Sequence, residues 1–407
     1  MSTSPIPAPI LPGATLGMLG GGQLGRMFVH AAQRMGYRTV VLDPDHDSPA
    51  GRASDQHLLC AYLDPKGLQS LGQLASGITT EFENVPAQAL SQLARQRIVA
   101  PSASAVSIAQ DRAQEKAHLT RCGVPVAPHA VLRSPTDLAG VADDLLPGIL
   151  KTATLGYDGK GQVRVRNRAE LRAGWAQLQG HASAPVACVL EKMLPLAAEC
   201  SVIVARGHDG RCVSLPVQRN LHREGILAVT EVYAGNVDPD LSQQALVAAR
   251  AVAQGLDYVG VLCVEFFLLH PGPERDTLGA LVVNEIAPRP HNSGHYSLDA
   301  CDLSQFELQV RCLTGLPLTQ PRQHSPAIML NLLGDLWFAP QAGAEPLPRE
   351  PDWAAVLSLP GSHLHLYGKA QARRGRKMGH LTLTGPDVTQ VRDTALKAAQ
   401  LLGIPPF

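Results

Sequence analysis

The sequence predicts an α/β protein with two or three domains, and three observations support this prediction. The chain has 407 residues, which is too many for a single ordinary hydrophobic core, and 45% of them are hydrophobic. Up to about residue 115, short apolar runs alternate with helical segments, which is typical of a parallel sheet. Strand-like runs at 199–204 and 212–217 then follow each other without a helix between them, which indicates an antiparallel sheet.

The N-terminal region is predicted to open with a β-α-β unit. Residues 14–19 and 38–43 predict strands, and residues 26–35 predict the helix between them. The turn has the spacing Gly20-x-Gly22-x-x-Gly25, with Asp43 eighteen residues past Gly25, which fits the dinucleotide fingerprint. Glycines at such a turn also serve any ligand whose anionic group approaches the helix N-terminus. The motif therefore predicts an anionic ligand and leaves NAD and a ribose phosphate both open.

Two acidic residues, Glu81 and Glu83, lie at the C-terminal end of a third predicted strand, 77–82. Open α/β sheets bind ligands at this edge, although a solvent-exposed loop explains each residue equally well. Further alternation is predicted as helices at 65–75, from 86 and from 102, and a strand at 97–100.

The segment after residue 147 has features that suit a triphosphate. A predicted strand ends at Lys151, and the following segment, 155–162, is rich in glycine. A lysine and mobile backbone N–H groups supply a point charge and hydrogen-bond donors for phosphate oxygens. A glycine-rich hairpin turn explains the glycines but not Lys151. The strand predicted within 186–194 ends near Glu191, from which a linker between two lobes could hydrogen-bond an adenine and a ribose.

Two apolar strand-like runs each carry one carboxylate where a core strand should not. Glu265 lies in the run 259–269 and Glu285 in the run that begins at Leu281, and the polar segment 270–279 suits a hairpin connection. Two neighbouring buried carboxylates repel each other, so we expect a divalent cation, magnesium first, between them. Exposed positions on edge strands are the alternative. The second run leads into polar residues that crowd its exit: Arg289, His291, Asn292, Ser293 and His295.

A basic cluster lies near the C-terminus, at 373–380, and contains two glycines. Charge runs are usually solvated loops, but cations and glycines between strands are also how proteins hold a monophosphate.

Bulk composition excludes several classes of partner. Lys plus Arg and Asp plus Glu number 35 each, so no overall field favours nucleic acid or an anionic membrane. The eight cysteines contain no C-x-x-C pair, which favours reduced thiols. The N-terminal segment lacks the features of a signal peptide, and no apolar run approaches the length of about 20 residues that spans a bilayer. We expect a cytoplasmic protein.

Taken in order, these segments closely resemble the N5-carboxyaminoimidazole ribonucleotide synthetase family of ATP-grasp ligases. The resemblance runs from about Gly13 to the end of the chain, and the segment 284–295 separates this family from most other ATP-grasp proteins. The matching motifs are Gly20–Met27, Glu81–Asn84, Asp111-Arg112, Lys151, Gly156–Gln162, Glu191-Lys192, Asn220–His222, Asn284–His295 and Gly375–His380.

The resemblance implies an ATP-grasp fold. After a disordered tail (1–12), it implies a Rossmann-like N-terminal domain with a parallel sheet (13–115). An ATP-grasp domain (116–318) follows, with a small lobe at about 123–195 and a large lobe at about 196–318. A small β-rich domain (325–407) ends the chain.

The resemblance also implies a reaction of purine biosynthesis. Bicarbonate, activated by ATP as carboxyphosphate, carboxylates 5-aminoimidazole ribonucleotide to its N5-carbamate, releasing ADP and phosphate. Glu265 and Glu285 would hold magnesium, or manganese, and Arg289, His291 and Lys369 would act on bicarbonate and carboxyphosphate. The implied ATP contacts are Arg112, Lys151, Gly156, Tyr157, Asp158, Gly159, Lys160, Gly161, Gln162, Glu191, Lys192, Met193, Leu194, Glu199, His222, Asn284 and Glu285. The implied ribonucleotide contacts are Gln23, Leu24, Glu81, Tyr157, Asp158, Asn292, Ser293 and Lys369, with Arg376 and Lys377 at the 5′-phosphate.

Relatives imply a homodimer and functional coupling to the mutase that uses the product. Two features depart from the family pattern: Leu196-Ala-Ala198 stands where bulkier or charged residues are expected, and the connection 270–279 is long.

Three other functions compete with this one. Another ATP-grasp ligase, such as a formate-dependent glycinamide ribonucleotide transformylase or a biotin carboxylase, shares the fold, but the run His291–His295 argues against both. An NAD-dependent oxidoreductase is supported only by residues 20–43. A catalytically inactive nucleotide-binding regulator does not account for the intact carboxylates and basic loop.

Overall fold

The computed structural model describes residues 6–154, 161–180, 186–339 and 347–407. Its N-terminal part is a parallel sheet in the order β3-β2-β1-β4-β5. The helix predicted at 26–35 begins three residues earlier, directly after the glycine turn. The elements of this part are β1 (Thr15–Leu19), α1 (Gln23–Arg34), β2 (Arg38–Leu42), β3 (Gln56–Leu58), α2 (Pro65–Leu74), β4 (Gly77–Thr80), α3 (Ala87–Leu93), β5 (Ile98–Val99), α4 (Ala103–Ala109) and α5 (Arg112–Arg121).

The core of this sheet extends into the second half of the chain. Strands β1, β2 and β4 are almost wholly buried, as expected for a parallel sheet covered on both faces. Phe28 of α1 packs in one apolar cluster with Phe306 and Val310, which belong to a later helix. The N-terminal sheet is therefore held against the rest of the molecule by a shared core.

The middle of the chain forms a small antiparallel sheet in the order β6-β9-β7-β8. Leu171 and Trp175 of α6 cover one face of it and pack with Leu150 and Leu190. The elements are β6 (His129–Leu132), short 3₁₀ turns at Asp137–Gly140 and Asp143–Leu145, β7 (Gly148–Thr152), β8 (Gln162–Val165), α6 (Arg168–Gly180) and β9 (Cys188–Lys192).

The rest of the chain builds a large antiparallel sheet in the order β15-β14-β10-β12-β13-β16-β20-β19, with β11 paired to β10. Its strands are β10 (Leu196–Arg206), β11 (Cys212–Ser214), β12 (Gln218–Arg223), β13 (Ile226–Val232), β14 (Gly260–Leu269), β15 (Leu281–Ala287), β16 (Ala327–Leu333), β19 (Ser362–Leu366) and β20 (Lys377–Thr384), while β17 (Phe338–Ala339) pairs with β18 (Leu347–Pro348). The helices are α7 (Pro239–Gly255), α8 (Pro273–Leu278), α9 (Ser297–Ala300), α10 (Gln305–Thr314), α11 (Trp353–Leu357) and α12 (Val388–Leu402), with 3₁₀ turns at Asn292–Gly294 and Gly334–Trp337.

Strands β16, β19 and β20 of the C-terminal segment belong to the large sheet, and only the short pair β17–β18 lies apart from it among the described residues. Strand β16 pairs with β13, so the strands predicted for a C-terminal domain continue the sheet of the middle segment. Helix α12 covers this end, where Val391 and Ala395 pack against Leu330 and Leu381. Residues near the C-terminus are thus fixed relative to strands more than 100 residues earlier.

The two strands that carry the predicted carboxylates form the expected hairpin. Strands β14 and β15 pair antiparallel, and Glu265 lies directly opposite Glu285. The connection is not only a loop, because residues 273–278 form α8. Pro273 at its first position and Glu274 in its first turn favour a helix start.

All eight cysteines are free thiols, as their spacing predicted. Within the described ranges, the helices all fall short of the length and apolar character needed to cross a bilayer.

Candidate active site

One cleft of about 910 Å³ is lined by residues from the N-terminal sheet, both antiparallel sheets and the C-terminal segment. It brings together most of the residues predicted from the sequence. The predicted residues that line it are Gln23, Leu24, Glu81, Arg112, Lys151, Gln162, Glu199, His222, Glu265, Asn284, Glu285, Arg289, His291, Asn292, Lys369, Arg376 and Lys377.

The glycine turn before α1 binds two of the chain's own carboxylates. Glu81 accepts hydrogen bonds from the backbone N–H groups of Gly22 (2.9 Å) and Leu24 (3.3 Å). Asp43 accepts from the N–H of Gly21 (2.7 Å). A side chain at position 22 would place a Cβ 2.1 Å from Glu81 Oε1, which explains the glycine. Burial raises the pKa of Glu81, and the two N–H donors offset this only in part.

This geometry argues against a dinucleotide at the turn. The helix N-terminus, where a pyrophosphate would bind, already faces Glu81. Asp43, which the fingerprint assigns to a ribose hydroxyl, is buried and accepts the Tyr62 hydroxyl at 2.6 Å. The turn instead presents Gln23 and Leu24 to the cleft.

Lys151 reaches the cleft from β7 and is positioned by a buried charge network. Glu191 of β9 lies 3.2 Å from Lys151 Nζ and 3.3 Å from Lys116 Nζ. Lys116 also donates to the backbone carbonyl of Asn284 at 2.7 Å. Burial opposes ionisation of Glu191. The positive charges of Lys116 and Lys151 outweigh the effect of burial and lower the pKa of Glu191 to about 2. Lys116 thus connects the strand behind Lys151 with the hairpin of Glu285.

The carboxylate of Glu191 therefore lies behind Lys151 and not on the cleft wall. The hydrogen bonds predicted from the linker at this strand end to an adenine and a ribose stay a prediction. Lys116, which sequence reasoning did not single out, is only 1% exposed. The signal for it in the sequence is the high proportion of charged residues in helix α5, which does not show which side chain is buried.

The paired carboxylates Glu265 and Glu285 face the cleft beside several cationic groups. Glu265 lies 3.0 Å from His291 Nε2 and 3.9 Å from His222 Nε2. Glu285 accepts from Arg112 Nη1 at 3.1 Å. Although burial disfavours its charge, Glu265 has a lowered pKa because His291 and His222 lie beside it.

Asn284 adds an oxygen donor to this pair. Its Oδ1 is buried and has no hydrogen-bond partner among the described residues. An unpaired buried carbonyl oxygen next to two carboxylates is the donor set that suits a hard divalent cation such as Mg²⁺ or Mn²⁺. These residues therefore fit the predicted metal.

Arg289 is held by a residue that the site prediction omitted. Its guanidinium donates through Nε and Nη2 to both oxygens of Glu83, with an Nη2–Oε1 distance of 3.1 Å. Burial alone would lower the Arg289 pKa, but Glu83 raises it, so the group stays charged. The same pair lowers the pKa of Glu83 to about 2 against the effect of burial. Such a two-point contact fixes the plane of the guanidinium.

The segment after β15 orients His291 through backbone and side-chain contacts. The His291 N–H donates to Gln305 Oε1 (2.9 Å), and the Gln305 amide donates to the His291 carbonyl (2.9 Å). His291 Nδ1 lies 3.0 Å from the Ser293 hydroxyl, which in turn accepts from Ser201. Ser293 is fully buried, so the structure places it behind His291 and not on the cleft wall.

The far wall of the cleft is basic and belongs to the C-terminal segment. Lys369 donates to the carbonyl of Lys377 at 2.7 Å, and its ammonium lies 5.7 Å from the centre of the Tyr367 ring. Arg376 donates to the carbonyl of Gln371 at 2.8 Å. Arg373 and Arg374, which the site prediction omitted, also line this wall. This concentration of cations suits an anionic ligand.

A few predicted residues lie away from the cleft or outside the described ranges. Lys192 pairs with Glu274 at 3.2 Å, Met193 is 43% exposed, and Leu194 is buried in an apolar cluster. Gly161 accepts from the N–H of Thr152 at 2.9 Å. The predicted loop residues Gly156, Tyr157, Asp158, Gly159 and Lys160 lie outside the described residues.

Comparison with known proteins matches three segments of the chain to family models. Residues 13–110 match the ribonucleotide synthetase preATP-grasp domain, residues 117–306 the ATP-grasp domain, and residues 327–394 the phosphoribosylaminoimidazole carboxylase C-terminal domain. The N5-carboxyaminoimidazole ribonucleotide synthase of Brucella melitensis biotype 1 is 41% identical over 378 residues, which cover 92% of this chain and 97% of that protein. The chain belongs to the N5-carboxyaminoimidazole ribonucleotide synthase family. The predicted family and the predicted ATP-grasp fold are therefore confirmed.

Solved structures of the N5-carboxyaminoimidazole ribonucleotide synthase family have the same fold. The Staphylococcus aureus enzyme with ADP is 37% identical, with a TM-score of 0.84 over 96% of this chain and 98% of that one. The Aspergillus clavatus enzyme with ADP and 5-aminoimidazole ribonucleotide is 31% identical, with a TM-score of 0.81 over 96% and 98%. The chain is an ATP-grasp ligase of this family.

Proposed function

We propose that this protein carboxylates 5-aminoimidazole ribonucleotide with bicarbonate and ATP, giving N5-carboxyaminoimidazole ribonucleotide, ADP and phosphate. Family membership and the ligands of the two solved relatives support this reaction. The single observation that carries the proposal is that one cleft is lined by Lys151, the carboxylate pair Glu265 and Glu285, Arg289, and the basic residues of the C-terminal segment. These are the groups that a triphosphate, its metal, bicarbonate and a ribonucleotide phosphate require in one place.

The nucleotide end of the cleft is assigned to Arg112 and Lys151, with Glu199 and His222 beside them. The charge network through Glu191 and Lys116 keeps Lys151 directed at the cleft. Glu265, Glu285 and Asn284 would hold Mg²⁺, or Mn²⁺, which when bound neutralises phosphate charge. Gly156–Lys160 are assigned to ATP, and Tyr157 and Asp158 also to the ribonucleotide, from the sequence resemblance alone.

Bicarbonate is assigned to the region of Arg289 and His291, with Lys369 opposite. Bicarbonate is a poor electrophile, so its oxygen first takes the γ-phosphoryl group of ATP to form carboxyphosphate, with ADP as leaving group. The exocyclic amine of the ribonucleotide then attacks the carboxyl carbon, and phosphate leaves. Glu83 holds the Arg289 guanidinium in place and keeps it protonated. Arg289 can therefore stabilise the negative charge that develops in both reaction steps without first moving.

The ribonucleotide is assigned to the part of the cleft that the turn before α1 and the C-terminal segment line. Gln23, Leu24, Glu81 and Asn292 would contact its base and ribose, and Arg376 with Lys377 its 5′-phosphate. Ser293 would act through His291, whose ring it contacts. We also propose that the protein is a cytoplasmic homodimer whose product passes to a mutase.

The direct test is ADP release from MgATP and bicarbonate, with and without 5-aminoimidazole ribonucleotide. We expect strong stimulation by the ribonucleotide, with a labile carbamate formed in step with ADP. ATP turnover that is indifferent to the ribonucleotide would contradict the proposed acceptor. No turnover under any condition would favour an inactive nucleotide-binding regulator.

A further inference from the structure

A second cluster of metal-ligating side chains lies outside the proposed active site. It comprises Asp299, His365 and His380, each of which offers one ligand atom, and these atoms all lie within 4.8 Å of one another. We call these three residues the Asp-His cluster. None of them lines the cleft or received a role in the proposed reaction.

The fold builds this cluster from three elements. His365 of β19 and His380 of β20 are directly opposite each other in the antiparallel pair, so their side chains lie on the same face of the sheet. His363 lies two residues before His365 and therefore also on this face. Helix α9, which carries Asp299, packs against β20. The cluster thus depends on strand register and not on flexible loops.

The donor distances suit a cation shared by a carboxylate and imidazoles. Asp299 Oδ2 lies 2.9 Å from His365 Nε2, and Asp299 Oδ1 lies 3.7 Å from His363 Nδ1. Neighbouring ligand atoms around a tetrahedral zinc ion are separated by about 3.3 Å, given bond lengths near 2.0–2.1 Å. His380 Nε2 is buried and lacks a hydrogen-bond partner among the described residues, while its Nδ1 lies 3.0 Å from the Tyr367 hydroxyl.

We propose that Asp299, His365 and His380 bind a divalent transition-metal ion such as Zn²⁺, with His363 as a fourth ligand. Two or three imidazoles with one carboxylate are a donor set that favours zinc and related ions over magnesium. Such an ion would connect α9, just after the segment of His291, to the strands that flank Lys369. The site is independent of the proposed carboxylation and goes beyond it.

One ring must turn for the metal to bind. The His365 and His380 rings are stacked, with centroids 4.4 Å apart and planes 11° apart, so their lone pairs run nearly parallel. His380 is fully buried, whereas the side chains of His365 and His363 are 31% and 40% exposed. His365 is therefore the ring that rotates, and solvent gives the ion access from the side of His363.

The test is equilibrium dialysis of the chelator-treated full-length protein against Zn²⁺, followed by metal analysis. We expect one tightly bound zinc ion per chain in the wild type. Asp299→Asn, His365→Gln and His363→Gln should each weaken binding at least tenfold. The matched control is His46→Gln, because His46 forms an exposed His-Asp contact with Asp47 at 3.4 Å and should bind zinc no differently from wild type.

A Co²⁺ spectrum distinguishes the Asp-His cluster from a site that contains a thiolate. Among the described residues, Cys263, Glu265 and His291 form another metal-ligating group, and it contains a thiol. Cobalt in the Asp-His cluster should show d–d absorption without a thiolate-to-cobalt charge-transfer band. A charge-transfer band that is lost in Cys263→Ala would place the ion at the other group and overturn the proposal. Zinc binding that is absent in the wild type, or unchanged in Asp299→Asn and His365→Gln, would also overturn it.

Discussion

Two regions of the molecule each hold two carboxylates that are buried or line the cleft, and these regions balance the negative charge with different groups. At the turn before α1, Glu81 and Asp43 each accept hydrogen bonds from backbone N–H groups. At the β14–β15 hairpin, Glu265 and Glu285 lie opposite each other and are paired with histidine and arginine side chains that line the same cleft. Asn284 Oδ1 beside them has no partner among the described residues. A carboxylate therefore indicates a cation site where further oxygen ligands line the same cleft, and not where it accepts hydrogen bonds from backbone N–H groups of a turn.

The hairpin should show the largest effect of a charge change. Glu285→Gln removes one of the two carboxylates and should lower kcat for ADP release about 100-fold, equivalent to about 2.7 kcal/mol. Glu274→Gln, in α8 of the same hairpin, is the control and should retain nearly full activity. Steady-state assays of both variants measure the difference. Near-normal turnover in Glu285→Gln would mean that the hairpin does not hold the metal.

The network behind Lys151 should give a smaller effect on nucleotide binding. In Lys116→Met, Glu191 loses one of its two close ion pairs and keeps the one with Lys151, so Lys151 should be drawn away from the cleft. We expect KM for ATP to rise about tenfold, or about 1.4 kcal/mol. Lys116→Arg preserves the charge and should recover part of the loss. If KM for ATP is unchanged in Lys116→Met, the network does not position Lys151.

A substitution at the turn before α1 should lower the stability of the protein and should not affect binding of NAD, because we expect none. Asp43→Asn weakens the hydrogen bonds from Gly21 and Tyr62, which should cost about 1 kcal/mol in the free energy of unfolding. Urea denaturation measures this loss. NAD fluorescence titration of the wild type and the variant should show no binding to either. Binding of NAD to the wild type that Asp43→Asn abolishes would restore the dinucleotide interpretation.

Glu115 should give the smallest effect, seen as a pH dependence. Burial raises the pKa of this carboxyl to about 7, and it accepts the N–H of Ile286 at 2.7 Å. Between its unfolded pKa near 4.3 and about 7, the folded state holds a proton that the unfolded state lacks, so stability falls as pH rises through this window. The stability of Glu115→Gln should not fall in this window, because the glutamine amide does not titrate. Because Glu115 borders the cleft, where water reduces the effect, we expect no more than about 1 kcal/mol.

Thermal unfolding of both proteins at a series of pH values checks this sign. The midpoint of Glu115→Gln relative to wild type should rise from about pH 5 to about pH 8. A difference that stays constant with pH would show that Glu115 is ionised in the folded protein throughout this range.

Much of the fold was predictable because its signals are local. The strands β1, β2 and β4 are short apolar runs beside glycine or helix signals, and the β14–β15 hairpin follows from two apolar runs around a polar connection. The carboxylates Glu265 and Glu285 were predictable because charge within an apolar strand is unusual. Each of these inferences needs only neighbouring residues.

The contacts that organise the site were not predictable because their partners are distant in sequence. Arg289 and Glu83 are 206 residues apart, and Lys116 is 168 residues from Asn284. The pairing of β13 with β16 likewise joins strands about 100 residues apart, and no local pattern specifies it. The glycine turn alone could not decide between NAD and a ribose phosphate for the same reason, since only the fold shows that Glu81 lies at its N–H groups.

The most direct test of the difference between the two regions is a titration of Mn²⁺ binding in the presence of ADP. Electron paramagnetic resonance of the free ion measures how much Mn²⁺ remains unbound. Wild type should bind Mn²⁺, and Glu265→Gln should weaken binding at least tenfold. Glu81→Gln, which changes the carboxylate bound to backbone N–H groups at the turn before α1, should bind Mn²⁺ like the wild type. Equal weakening by both variants, or by neither, would contradict the assignment of the cation to the β14–β15 hairpin.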